Sequence, residues 1–258
     1  MSRRALVATA LVVLVPVVVM AIEVQVARVR PRLDDEDGFR VQDLRVRSGP
    51  DPLDVVWLGD STATGVGSNE LDETMAHRVT MAVGPDGSRL TILARSGDQV
   101  HEVLGHQLAA LRRRVDGGQV PEIVFVSIGA NDVTSLTRRP TFRRRYRDLV
   151  DELRAVAPDA TLILVGIPDM GVAPRLPIPL RQVAGVRAAQ LDADVAGVAA
   201  DRGLHHVELA ERTSREFSRD PDRYFSGDDF HPSGPGHGLW AGAIVASLRE
   251  AGTVDVDG

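Results

Sequence analysis

The chain of 258 residues contains no cysteine, which excludes disulfide bonds, thiol catalysis and cysteine-ligated metals. It also contains no lysine, so all 30 basic residues are arginine, a bias that we attribute to codon usage. Without lysine the glycine-rich stretch at 65–68 lacks the residue that a P-loop requires. The formal net charge of −6 gives no reason to expect a nucleic-acid partner.

Aromatic residues make up only 4% of the chain, with two tryptophans and two tyrosines, so a pocket lined by these side chains is not expected. The hydrophobic content of 43% is enough for an ordinary core and argues against global disorder. Six histidines show no spacing typical of a metal site, and we expect neither a metal nor a cofactor. They are His77, His101, His106, His205, His206 and His237.

The amino terminus carries an apolar run from residue 5 to residue 22, preceded by Arg3 and Arg4. As a helix, a run of this length spans roughly 27 Å, enough for the hydrocarbon core of a bilayer. The run is longer than a usual signal-peptide core, and no convincing small-x-small cleavage site follows it. We therefore favour an uncleaved membrane anchor over a cleaved signal or a buried helix. The rest of the chain is expected outside the cytoplasm, membrane-anchored or secreted.

Residues 23–53 mix acidic residues with proline and glycine without a persistent period, and we interpret them as a linker with at most one short ordered piece. From residue 54, apolar runs alternate with amphipathic stretches. The runs are 54–59, 90–94, 122–128, 161–167 and 204–209, and the amphipathic stretches are 98–115, 141–157, 180–202 and 235–250. This alternation predicts an α/β fold, a three-layer α/β/α sandwich with a five-stranded parallel flavodoxin-like sheet, preceded by an N-terminal apolar helix. The domain is expected over 54–251, with a tail at 252–258.

The stretch DVVWLGDSTATG at 54–65 reads as a buried strand that stops abruptly at Gly59, Asp60 and Ser61. A serine at the carboxyl end of a central strand, entering a helix, is exposed where ligands of open α/β sheets bind. That position suits a nucleophile. Taken in isolation, the tripeptide is better explained as a turn serine that caps the next helix. Asp60 is expected to brace the turn rather than to titrate.

Three further polar segments follow predicted strands or precede the last helix. They are Arg95–Asp98, Gly129–Asp132 and Asp228–Pro232. Each has an ordinary structural explanation: Gly97 as a turn residue, Asn131 as a helix cap and His231 as a loop histidine before proline. Asp132 is expected to anchor its loop by accepting backbone hydrogen bonds.

Taken together, these segments match a family. GDS at 59–61, a glycine at 97, GxND at 129–132 and DxxHP at 228–232 occur in the order found in the SGNH (GDSL-type) hydrolases. The chain resembles these esterases and lipases, which have a flavodoxin-like sandwich, over about residues 54–250. Two departures are small: Thr62 follows the serine where leucine is common, and the second block is shortened around Gly97.

The resemblance implies that Ser61 is the nucleophile, His231 its base and Asp228 the carboxylate that orients the imidazole, with Asp229 as the less favoured alternative. It further implies an oxyanion hole made by the backbone N–H groups of Ser61 and Gly97 and the side-chain amide of Asn131. These roles agree with the chemistry, because a serine hydroxyl needs a base and the tetrahedral intermediate needs hydrogen-bond donors.

The expected function is hydrolysis of a carboxylic ester, of acyl-lipid or O-acylated glycan type, through an acyl-enzyme. The partner would be a small-molecule, lipid or glycan ester, with membrane contact through the N-terminal segment. An acyltransferase that passes the acyl group to a sugar or lipid hydroxyl is the alternative, and the intact site argues against an inactive binding module. The proline-rich segment 168–179 is expected on the same rim as Ser61, either as a wall of the cleft or as a passive connection.

Overall fold

The computed structural model describes residue 33 and residues 38–50, 52–84 and 86–254. The predicted membrane segment at 1–22 therefore lies outside the described residues, as does the end of the predicted tail. Among the helices that the structure describes, none is both long and apolar enough to cross a bilayer.

The sheet has six strands in the spatial order β1-β3-β2-β4-β5-β6. The strands are β1 (Leu44–Arg47), β2 (Leu53–Gly59), β3 (Ser88–Ile92), β4 (Ile123–Ser127), β5 (Thr161–Val165) and β6 (His205–Val207). Strands β2 to β6 pair in parallel, at the five positions where strands were predicted.

The prediction of a wholly parallel, five-stranded sheet is wrong because β1 adds an antiparallel sixth strand beside β3. This strand lies inside the stretch that we interpreted as a linker. Its sequence LRVR has no apolar run, and its side chains are exposed or half-buried. A short, charged strand of this kind is typical of a sheet edge, where only one neighbour has to be matched.

Helices cover the sheet and connect its strands. They are α1 (Ser61–Thr64), α2 (Met75–Ala82), α3 (Val100–Glu102), α4 (Leu108–Asp116), α5 (Ala130–Thr134), α6 (Arg139–Val156), α7 (Leu180–Arg202), α8 (Leu209–Arg219), α9 (Pro221–Tyr224) and α10 (Gly234–Ala251). A π-helical segment, Val103–Gln107, joins α3 to α4, and short 3-10 turns lie at Leu71–Glu73 and Met170–Val172. The four predicted amphipathic helices are confirmed by α3 to α4, α6, α7 and α10.

The two central strands, β2 and β4, carry the centre of the core. Trp57 of β2 lies opposite Phe125 of β4, and their rings stack with centroids 4.3 Å apart. The indole N–H of Trp57 donates to Thr80 Oγ1 of α2 at 3.1 Å, so its burial leaves no unpaired donor. The same register places Gly59 beside Ser127, and Ser127 beside Val165. The carboxyl ends of the parallel strands therefore meet at one edge of the sheet.

The turn after β2 is held by close backbone contact and by a buried carboxylate. Gly59 has a φ of +146°, and a Cβ atom there would lie 1.9 Å from the carbonyl oxygen of Ser127, so only glycine fits. Asp60 caps α1, with Oδ1 accepting from the backbone N–H and the hydroxyl of Thr62 at 3.0 and 2.9 Å. The prediction that Asp60 braces the turn is confirmed.

The prediction that Asp60 does not titrate is wrong. Burial raises the pKa of this fully buried carboxyl to about 6, and the hydrogen bonds from Thr62 oppose that shift only in part. Asp60 therefore changes charge close to neutral pH.

Replacing Val126 by alanine tests the placement of the core, because this side chain is fully buried in β4. We expect the free energy of unfolding to fall by about 2–3 kcal/mol. The matched variant Val120→Ala removes the same atoms from a side chain that is 45% exposed, and should cost less than about 0.5 kcal/mol. Urea unfolding followed by tryptophan fluorescence measures both, and equal losses would contradict the burial of Val126.

Replacing Asp60 by asparagine tests its raised pKa. Between the pKa of the unfolded chain and about 6, the folded protein holds a proton that the unfolded chain releases. Stability of the unmutated protein is therefore lost as pH rises through this window, whereas asparagine keeps the acceptor oxygen and never ionises. We expect the stability of Asp60→Asn, relative to the unmutated protein, to rise by roughly 2–3 kcal/mol from pH 4 to pH 7. Urea unfolding across this range measures the difference, and a pH-independent difference would refute the shift.

Candidate active site

Ser61 lies where the β2 strand gives way to helix α1, at the edge where the parallel strands end. Its carbonyl accepts hydrogen bonds from the N–H groups of Gly65 and Val66, which close the first turn of the helix. Within the described residues, the backbone N–H groups of Ser61 and Gly97 donate no hydrogen bond to another protein atom. Both donors are thus available to a ligand.

Asp228 and His231 form a buried acid–base pair in the loop before α10. Nδ1 of His231 lies 2.7 Å from Oδ2 of Asp228, so the carboxylate accepts the Nδ1 proton. Within the described residues Nε2 of His231 has no hydrogen-bond partner, although the side chain is buried. This arrangement leaves Nε2 as the nitrogen that can accept a proton.

The other carboxylate oxygen of Asp228 is also saturated. Oδ1 accepts from the hydroxyl of Ser226 and from the backbone N–H groups of Phe230 and His231, at 2.9, 3.0 and 2.9 Å. Burial by itself would raise the pKa of Asp228, but the hydrogen bonds and charge of His231 hold that pKa well below its usual range. Asp228 is therefore ionised under the conditions in which histidine can act as a base.

The structure places Asp229 differently from Asp228. Its backbone has a φ of +60°, its side chain is exposed, and its carbonyl accepts the backbone N–H of Arg175 at 2.9 Å. Asp228 is thus the carboxylate that contacts His231, in agreement with the sequence-based preference.

The loop that follows Ser61 packs against the loop that carries His231. A Cβ atom at Gly67 would lie 2.1 Å from the carbonyl oxygen of Pro232, so the two backbones touch. Nε2 of the buried His237 donates to the carbonyl of Val66 at 3.1 Å, and burial lowers the pKa of His237 to about 4, which keeps its ring neutral. The hydroxyl of Ser61 and Nε2 of His231 are not hydrogen-bonded to each other in this structure.

Asn131 and Gly97 are joined through Asp98. Asn131 is the second residue of α5, rather than its cap, and its Nδ2 donates to the carbonyl of Asp98 at 3.0 Å. An amide carries two N–H donors, so one remains for a ligand. Gly97 has a φ of +85°, which favours glycine. The neighbouring Asp132 is buried and accepts the Val100 N–H at 3.1 Å, which confirms its predicted anchoring role.

Two functional candidates were missed by sequence reasoning. Gln107, in the π-helical segment, bonds to Gly59 and Asp98, and a glutamine in an amphipathic helix gives no signal of such a contact. Arg175, in the proline-rich segment, is buried and donates from Nη1 to the carbonyl of Asp228 at 3.3 Å. That contact places the segment beside the acid–base pair, where the strand-end rule expected it, and its composition alone did not single out the arginine.

Comparisons with known proteins identify the family of the chain. The model of the GDSL-like lipase/acylhydrolase family matches residues 57–239. A GDSL-like esterase of Mycobacterium tuberculosis is 30% identical over 236 residues, which cover 88% of this chain and 72% of that protein.

Solved structures show the same fold. A lipase/acylhydrolase from Enterococcus faecalis is similar with a TM-score of 0.57 and 20% identity, covering 80% of this chain and 99% of that one. An extracellular lipase from Streptomyces rimosus has a TM-score of 0.55 and 19% identity, covering 78% of this chain and all (100%) of that one. The matched family, the curated relative and these neighbours lead to one conclusion: the chain belongs to the GDSL-like lipase/acylhydrolase family and is an ester-hydrolysing enzyme.

Proposed function

We propose that the protein is a serine esterase that cleaves a carboxylic ester through an acyl-enzyme on Ser61, with His231 and Asp228 completing a catalytic triad. The observation that carries this proposal is the buried His231 ring, fixed at Nδ1 by the Asp228 carboxylate at 2.7 Å and without a partner at Nε2 among the described residues. A ring held in this tautomer is prepared to accept one proton at one nitrogen.

In the proposed reaction, Nε2 of His231 takes the proton of the Ser61 hydroxyl as Oγ attacks the ester carbonyl carbon. This step requires Oγ of Ser61 to come within hydrogen-bond reach of Nε2, a contact that free enzymes often hold loosely. The tetrahedral intermediate then expels the alcohol, which takes the proton back from His231. Water, deprotonated by the same nitrogen, then attacks the acyl carbon. The second tetrahedral intermediate breaks its bond to Ser61 Oγ, which takes the proton back from His231, and the acid is released.

Three donors would stabilise the negative oxygen of the intermediate: the N–H groups of Ser61 and Gly97 and the Nδ2 group of Asn131. Two of them donate to no other protein atom in the described residues, and the third has one N–H left over. Loss of one such donor typically costs roughly 10²–10³ in turnover.

The proposed substrates are esters of acyl-lipid or O-acylated glycan type, and the proposed location is the outer side of a membrane. The location is supported by the sequence alone, through Arg3, Arg4 and the apolar run that ends at residue 22. An ester substrate in general is supported by the esterase, and a lipid ester by the lipase, to which the chain is similar.

Replacing Ser61 by alanine tests the nucleophile. We expect kcat/KM for p-nitrophenyl esters to fall by at least about 10⁴-fold, because the remaining site can no longer form the acyl-enzyme. The measurement is initial rates over a panel of acyl chain lengths. Ser218→Ala, which removes an exposed hydroxyl on α8, is the matched control and should keep full activity.

Activity of Ser61→Ala within tenfold of the unmutated enzyme would refute the assignment. The same panel, run with added alcohols and sugars, separates hydrolysis from acyl transfer. Release of free acid as the sole product supports an esterase. If the acyl group is instead found mainly on the added alcohol or sugar, the protein is an acyltransferase.

Replacing Asp228 by asparagine tests the carboxylate partner. We expect kcat to fall by about 10²–10⁴-fold, because asparagine neither stabilises the imidazolium nor favours the required tautomer. Asp229→Asn is the matched control: it makes the same chemical change at the next residue, whose left-handed backbone asparagine tolerates. Kinetics of the two variants at pH 7–8 decide between them, and a greater loss in Asp229→Asn would transfer the role to Asp229.

A further inference from the structure

Gln107 is a buried amide that the proposed chemistry does not use directly. It is the last residue of the π-helical segment between α3 and α4, and its side chain is 1% exposed. A π-turn widens an α-helix locally and is frequent at functional sites, where it redirects a side chain. Here the redirected group points at the backbone just before Ser61.

The side-chain amide of Gln107 forms two hydrogen bonds with the backbone of Gly59. Oε1 accepts the Gly59 N–H at 2.9 Å, and Nε2 donates to the Gly59 carbonyl at 2.7 Å. Gly59 is two residues before Ser61, so these bonds fix the point from which the nucleophile turn starts. The second N–H of Nε2 donates to Oδ2 of Asp98 at 2.6 Å.

Asp98 extends this connection to the other two donors. It directly follows Gly97, and its carbonyl accepts Nδ2 of Asn131 at 3.0 Å. Nε2 of His106 lies 3.0 Å from the same Oδ2 that Gln107 contacts, and so helps to hold the Asp98 side chain. The loops that carry Ser61, Gly97 and Asn131 are therefore joined by one network centred on a single amide.

We propose that Gln107 is a positioning residue for the oxyanion hole: it sets the distances among the donors of Ser61, Gly97 and Asn131. This inference rests on the proposed function. Donors spread over three loops act together only if the loops keep their relative positions, and misplacement by about 1 Å can cost roughly 10²-fold in rate. Because the donors are needed most when charge develops on oxygen, Gln107 should affect kcat far more than KM.

The test is Gln107→Glu, which keeps size and shape but removes both N–H donors. The carboxylate cannot donate to the Gly59 carbonyl, and it lies against the carboxylate of Asp98. We expect kcat to fall by about 10²-fold with KM changed less than about threefold. Steady-state kinetics on a p-nitrophenyl ester give both values.

A second variant exchanges the two groups. In Gln107→Glu with Asp98→Asn, the asparagine amide donates to the new carboxylate. This restores the contact between positions 98 and 107 with the polarity reversed, while the Gly59 carbonyl still lacks its side-chain donor. We expect this double variant to recover at least about tenfold of the kcat lost in Gln107→Glu. A residue that only supported folding would not give such a recovery in kcat at equal stability.

Thr80→Val is the control for stability. It removes a buried hydrogen bond to Trp57 of the same strand β2, without touching the loops of the site. It should lower the free energy of unfolding and leave kcat within about twofold. Urea unfolding of all the variants shows whether activity follows stability or the network.

The outcomes are distinct. Any of three results would overturn the positioning role. The first is a near-normal kcat in Gln107→Glu, and the second is a loss of kcat no larger than that of Thr80→Val at matched stability. The third is the absence of any recovery of kcat in the double variant. If the unmutated enzyme and Ser61→Ala hydrolyse the ester equally, the proposed function itself fails. If Ser61→Ala alone is inactive, only the role of Gln107 is rejected.

Discussion

The contact between the backbones of Gly59 and Ser127 is the constraint on which the site depends. A Cβ atom at Gly59 would lie 1.9 Å from the carbonyl oxygen of Ser127, and the next N–H, that of Asp60, donates to this same oxygen at 3.1 Å. The end of β2 is thereby fixed to the end of β4, and the chain must turn sharply into α1. Ser61 therefore lies on a turn that begins at a residue without a side chain, and the buried Asp60 between them caps the helix.

The pKa values of two buried carboxyl groups, Asp60 and Asp228, are shifted in opposite directions by their surroundings. Asp60 is fully buried and, among the described residues, receives hydrogen bonds only from Thr62, so desolvation dominates and raises its pKa to about 6. Asp228 is also buried, but it receives hydrogen bonds from Ser226, Phe230 and His231, and its pKa falls. The number of donors and the nearby imidazole, rather than burial itself, decide in which direction each pKa moves. The carboxyl whose pKa is lowered is the one that contacts the histidine.

The parts of the fold and site that the sequence predicts are those with a local signal. The strands from β2 to β6 overlap the apolar runs of the sequence, and Ser61, Gly97 and Asn131 each lie within five residues after the end of one of these strands. The edge strand β1 has no such run, because a half-exposed strand with one neighbour needs none.

The contacts that sequence reasoning missed are long-range. Gln107 and Gly59 are separated by 48 residues and Arg175 and Asp228 by 53, and in neither pair does one residue's neighbourhood reveal the other. Ser61 and His231 are also far apart in the chain, but here the motifs name both residues. Their loops are brought together by contacts outside the catalytic residues, among them the packing of Gly67 on Pro232 and the hydrogen bond of His237 to Val66.

Arg175 joins the proline-rich segment at the rim of the site to the loop that carries Asp228 and His231. Its backbone N–H donates to the carbonyl of Asp229, and its guanidinium donates to the carbonyl of Asp228. Both acceptors are backbone groups of the loop that carries the Asp228 side chain, which is hydrogen-bonded to His231. The proline-rich segment that carries Arg175 therefore cannot shift without disturbing the loop of the acid–base pair. Changes in this segment that adapt the rim to a different acyl or alcohol group must preserve those two contacts if the histidine is to stay in place.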